Sequence, residues 1–125
     1  MIMTKARIKN NNLIVYPSAS IQETMEKITD NQRGAVVVVD NGLYLQGVVS
    51  DGDIRRAMLK GATLMTPVDK IVNINAVSIT VSAAKAGRGQ EIFRTESSID
   101  ILPVVDKHNK VIEVMIRNPE KRKEI

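Results

Sequence analysis

The stretch SDGDIRR, Ser50 to Arg56, gathers a hydroxyl, two carboxylates, a glycine and two guanidiniums at what reads as a strand-to-helix junction. Asp53 stands three residues after Ser50, a spacing that brings both side chains over the first helical turn. A carboxylate there can accept from both hydroxyls of a vicinal diol such as a ribose, at ~1.5–3 kcal/mol for each charge-assisted bond. The free N–H groups of a helix start, with the positive end of its dipole, suit a phosphate. Ser50 can donate to the same phosphate or diol, and Gly52 has no side chain to bar close approach. Arg55 or Arg56 would complete the anion site as a planar, bidentate donor. A structural reading stands beside this one. Ser50 with Asp53 is a variant capping box, carboxylates suit a helix N-terminus, and Asp53 with Arg56 can form a surface pair worth ~0.2–0.5 kcal/mol. The two are compatible, since a capped helix end is what would hold a binder in place.

The elements that must position this junction occur twice. Val36–Ser50, VVVVDNGLYLQGVVS, lies over Leu102–Ile116, LPVVDKHNKVIEVMI, without a gap, and Asp40 meets Asp106. Each reads as a hairpin: an apolar run ending at Asp, a polar turn and a returning apolar strand. Asn41-Gly42 predicts a tight turn, because both residues tolerate positive φ. Before the first hairpin, SASIQETMEKITDNQ predicts a helix with Ser20 as N-cap and Glu23 completing a capping box. Its apolar stripe is Ile21, Thr24, Met25 and Ile28. The counterpart, SAAKAGRGQEIFRTES, is a poorer helix, because Gly87 and Gly89 each cost ~1 kcal/mol relative to Ala. AGRGQ lacks the spacing and the Lys-Ser/Thr of a phosphate loop and reads as a frayed helix.

Short strands, LIVY and VSITV, precede the two helices. In TPVD between the halves, Thr66 is placed to cap and Pro67 to take the first helical position. After the first hairpin a helix runs through Arg55, Ala57 and Leu59 and stops near Gly61. After the second, Asn118 and Pro119 offer another helix start. The pattern predicts an α/β (α+β) fold of two β-α-β-β-α units, residues 1–64 and 65–125. One such unit, about 60 residues, is marginal alone, and two packed through their sheets make a sounder core.

Composition narrows the possible functions. The chain has 125 residues, 43% apolar and 26% charged, with 2% aromatics. The core must therefore be aliphatic, with the six methionines as filler. So few aromatics argue against nucleic-acid modules that stack bases. There is no cysteine, hence no disulfide framework or thiolate metal site. His108, the single histidine, falls in the second hairpin's turn with no companion ligand. The net charge of +4 is concentrated toward the ends, in Lys5, Arg7, Lys9 and EKRKEI, as solvated tails tend to be. MIMTKARIKNNN lacks the apolar run of a signal peptide, and no stretch approaches a membrane span, so a cytoplasmic location is expected. No nucleophile is paired with a base.

The tandem units, each with an apolar strand ending at Asp, a short turn and, in the first, GVVSDGD, resemble a CBS domain pair, the Bateman module. The resemblance runs from about Leu13 to Pro119. VVSDGDIRRAMLKG followed by PVDKIVN is similar to CBS pairs attached to sugar-phosphate nucleotidyltransferases. It implies two units packed with pseudo-twofold symmetry and a regulatory role without catalysis. It also implies an adenosine-containing effector (AMP, ADP, ATP, NAD or S-adenosylmethionine), with no cofactor required. Ser50, Asp51, Gly52, Asp53, Arg55 and Arg56 would hold ribose and phosphate, and Ile14, Gly34, Ala35 and Val36 would line the adenine side.

In the second repeat Ser50 becomes Ile116 and Asp53 becomes Pro119, neither of which can grip a ribose or phosphate. Gly47 becomes Glu113, adding bulk and charge where a polyphosphate would approach. One ligand per chain is the consequence. CBS pairs also associate as flat twofold dimers, and Ile54, Ala57 and Met58 form the candidate contact stripe. A dimerisation module without ligand, or the regulatory part of a nucleotidyltransferase, are the alternative readings.

Overall fold

Ala35–Val39 offers no polar position along its length, and such a strand is stable only with both faces covered. The computed structural model, which describes residues 12–117, buries all five of its residues. This strand, β2, is central in a three-stranded sheet between β1 (Ile14–Val15), parallel to it, and β3 (Leu45–Ser50), antiparallel. Its side chains alternate. Val36 and Val38 face a core made with helix α1 (Ile21–Asn31) and helix α2 (Asp51–Leu59), while Ala35, Val37 and Val39 face the second repeat.

The second repeat builds the same sheet from β4 (Ile79–Thr80), β5 (Ile101–Val105) and β6 (Val111–Ile116). Leu102 and Val104 face its own helices, and Ile101 and Val105 meet the first sheet in a shared aliphatic core. Each hairpin carries an irregularity at the equivalent place, between Val38 and Val39 and between Val104 and Val105. The two hairpins also clasp one another reciprocally. Leu45 N–H donates to the Asn109 carbonyl at 3.0 Å and Val111 N–H to the Leu43 carbonyl at 2.9 Å. These paired bonds join equivalent positions of the two repeats, which makes the packing pseudo-twofold.

Local details depart from the sequence reading in instructive ways. The positive φ of the first turn falls on Leu43, at 71°, and on neither Asn41 nor Gly42. The Asp40 carboxylate decides this by accepting from the Gly42 and Tyr44 N–H groups, both at 2.9 Å. Asp106 does the same for His108 and Lys110, with Asn109 at φ 69°. Accepting from the Lys110 N–H, and to a lesser degree from that of His108, holds the Asp106 carboxyl below the usual 3.8. His108 is exposed.

Ser20 and Glu23 form the capping box of α1, but Met25 is exposed and the buried stripe is Ile21, Thr24 and Ile28. Nor are the methionines general core filler. Among the described residues only Met115 is buried, whereas Met25, Met58 and Met65 are exposed. The glycine-containing helix divides into α3 (Val81–Lys85) and α4 (Arg88–Thr95), with Gly87 at φ 86° between them. AGRGQ therefore spans a break and the start of a regular helix, and a Cβ at Gly89 would press on the Met115 side chain.

Pro67 precedes a 3-10 turn (Val68–Lys70) as its N-cap, and Thr66 instead accepts from the Thr63 N–H. Ile54 is buried in the first core, so it cannot serve a contact stripe. Asn118 and Pro119 lie outside the described residues.

Candidate functional site

A cleft of about 860 Å³ opens where the two sheets meet. That size suits a nucleotide-sized ligand. One wall comes from the first repeat: Gly34 and Ala35 at the start of β2, then Ser50, Asp51, Asp53 and Arg56 at the β3–α2 junction. The other comes from the stretch Ser98–Ile101, which leads into β5, and from the connection Asn73–Val77.

The junction is locked locally before any ligand arrives. Ser50 Oγ accepts from the Asp53 N–H at 3.1 Å, and Asp53 Oδ2 accepts from the Ser50 N–H at 2.9 Å. This capping box leaves Asp53 Oδ1 to take Arg56 Nη2 at 2.9 Å. The Asp53 side chain is 23% exposed and that of Arg56 61%, so the pair sits at the cleft surface. The Asp51 N–H donates to the Gly34 carbonyl at 2.9 Å. Two of the first-turn N–H groups expected to be free for a phosphate are thus already bonded.

The other candidate residues separate by position. Gly52 faces the Arg56 guanidinium and is not part of the cleft wall. Arg55 points to the opposite side of α2, beside Met25, Met58 and Leu59. The helix phase puts only Arg56 on the cleft. Of the adenine-side residues, Gly34 and Ala35 line the cleft, whereas the Ile14 and Val36 side chains are sealed in the cores.

Gly47 also lies off the cleft, buried within β3. A Cβ there would collide with the Asn73 carbonyl and with Val72. Its bare backbone lets Asn73 pair with Val48, with N···O distances of 3.0 and 3.2 Å. The glycine thus works at one remove, by docking the connection that supplies part of the cleft wall.

The second repeat holds a feature that motif reading missed. Arg117, equivalent to Asp51, bonds Asp100 Oδ1 through Nε at 2.9 Å, and Asp100 is equivalent to Gly34. The two side chains are only 13% and 12% exposed. The guanidinium also donates to the carbonyls of Phe93, Glu96 and Ile99 and lies 5.2 Å from the Phe93 ring centre. The Arg117 N–H bonds the Asp100 carbonyl at 3.0 Å, repeating the Asp51–Gly34 bond of the first repeat. Where the first repeat presents an open junction, the second carries a filled one, with Ile116 before it. The signal was the repeat register itself, in which Asp51 falls on Arg117.

No group of three or more potential metal ligands occurs among the described residues. No helix there is long and apolar enough to cross a membrane.

Residues 2–60 match the family model of the CBS domain. Two solved structures share the whole architecture. One is a CBS domain pair/ACT domain protein from Thermotoga maritima, at 17% identity and TM-score 0.69, covering 98% of this chain and 91% of that one. The other is a CBS domain protein from Pyrobaculum aerophilum complexed with AMP, at 22% identity and TM-score 0.65, covering 87% and 82%. By that match the first repeat is a CBS domain, and the two units together share the fold of CBS domain pairs. A curated relative is the arabinose 5-phosphate isomerase GutQ of Escherichia coli (strain K12), 32% identical over 94 residues, which cover 75% of this chain and 29% of the relative. The chain spans about a third of the length of the curated relatives it matches.

Proposed function

We propose that the cleft of the first repeat binds one adenosine-containing small molecule per chain and that the module reports its presence to a partner domain. The observation that carries this reading is Asp53. Its carboxylate is held at the cleft surface by the Ser50 capping box through Oδ2, while Oδ1 faces the largely exposed Arg56 guanidinium. A ribose diol can displace or share that guanidinium while the cap stays formed. AMP in the Pyrobaculum aerophilum relative supports an adenosine ligand. AMP, ADP, ATP, NAD and S-adenosylmethionine all present the group that Asp53 would grip.

One site per chain follows from the second repeat, where Ile116 cannot bond a diol and Arg117 with Asp100 fills the junction. Titration calorimetry with AMP, ATP, NAD and S-adenosylmethionine should find at least one ligand binding at one equivalent per chain. Two equivalents would refute the account of the second repeat, and no binding by any of the four would refute the reading.

The regulated partner in this reading is a sugar-phosphate enzyme. GutQ favours an isomerase over the nucleotidyltransferase that the sequence resemblance suggested. The coding region flanking these residues decides between them. Self-association belongs to the same proposal. With Ile54 in the core, the face left for a second copy is Met25, Met58 and Leu59, all exposed. Light scattering should show a dimer at micromolar concentration, and a monomer alone would exclude it.

A further inference from the structure

Past Arg56 the cleft continues into a second hollow of about 420 Å³ that shares Asp53 and Arg56 with it. This groove follows one stripe of α2, from Asp53 through Arg56 to Lys60, and Thr66, Lys70 and Ile71 of the connection close its far side. Seven residues of helix carry it about 10 Å from the diol-gripping carboxylate. That is room for a short chain of phosphates.

The charges favour such an occupant. Asp53 and Arg56 neutralise one another, which leaves Lys60 and Lys70 as the uncompensated cations lining one groove from two different elements. Neither lysine joins an ion pair with any described residue. Thr66 Oγ1 accepts from the Thr63 N–H, and its own hydroxyl proton remains available to donate. The start of α2 is a poorer place for phosphate. Its Asp51 and Asp53 N–H groups are already bonded, and both residues add carboxylates there.

We infer that the groove between α2 and the connection is an anion subsite, taking the phosphate groups that extend from a ribose held at Asp53. The inference rests on the adenosine reading for the ribose, but the groove itself can be tested without it. The shared chemistry is phosphate, whether carried on the nucleoside or free, and the probes are adenosine, ADP and inorganic pyrophosphate.

Calorimetry on the full chain compares the native protein with Lys60→Gln/Lys70→Gln. Exposed Lys85→Gln/Lys107→Gln controls for net charge. The native protein should bind ADP about tenfold or more tighter than adenosine, as one good charge-assisted contact provides, and should bind pyrophosphate alone. Lys60→Gln/Lys70→Gln should keep the adenosine affinity, lower that for ADP to the adenosine level and abolish pyrophosphate binding. The control pair should change none of these. If ADP and pyrophosphate bind the groove variant as they bind the native protein, or if the control pair weakens them equally, the subsite is refuted. If adenosine fails to bind while pyrophosphate binding still depends on Lys60 and Lys70, the groove stands and the adenosine reading falls.

Discussion

Asp53→Ala is expected to weaken adenosine-nucleotide binding by ~1.5–3 kcal/mol, roughly 10- to 150-fold, through loss of the carboxylate that takes the ribose diol. The same substitution removes half of the capping box and should cost about 1 kcal/mol of stability. The two effects separate experimentally, because thermal unfolding reads the cap and calorimetry reads the ligand. Arg56→Ala provides the contrast. It deletes the partner of Asp53 Oδ1 but leaves the box with Ser50 intact, so stability should hardly move for so exposed a pair. Native affinity in Asp53→Ala would remove the residue from the site.

Arg117→Ala should destabilise the second repeat strongly, by about 3–5 kcal/mol, the range for removing one partner of a buried ion pair. Asp100 would lose its guanidinium partner in a nearly closed setting. The carbonyls of Phe93, Glu96 and Ile99, which gather the end of α4 and the approach to β5, would lose their shared donor. Chemical denaturation measures this directly. The companion test is Asp100→Ala with Arg117→Leu, which removes both charges and should cost less than the sum of the single changes. Additive costs would mean that the pair is not coupled and that the second junction is held shut by something else.

Much of the fold is legible because its causes are local. The five-residue apolar run of β2, the Ser20–Glu23 box and the Ser50–Asp53 box each need only near neighbours, and all appear as the spacing predicts. The repeat register then carries the architecture from one half to the other. What the sequence conceals depends on contacts made across the chain. Asn41-Gly42 looks like the flexible pair, yet the Asp40 carboxylate fixes the turn so that Leu43 takes the positive φ. Arg55 and Arg56 are equivalent as letters, and only the phase of α2 against the cleft separates them. Asn73–Val77 carries no motif and reaches the cleft because Gly47 admits its backbone. Arg117 looks like one more cation near the end of a basic chain. Its place in the second junction emerges only when Asp100 is brought beneath it.

The most direct test is a crystal structure of the native chain soaked with AMP. One nucleotide per chain should appear in the cleft, with both ribose hydroxyls within hydrogen-bond distance of the Asp53 carboxylate and the Asp100–Arg117 pair undisturbed. A nucleotide seated instead at Ile116 and Arg117, or a ribose held by residues other than Asp53, would contradict the account.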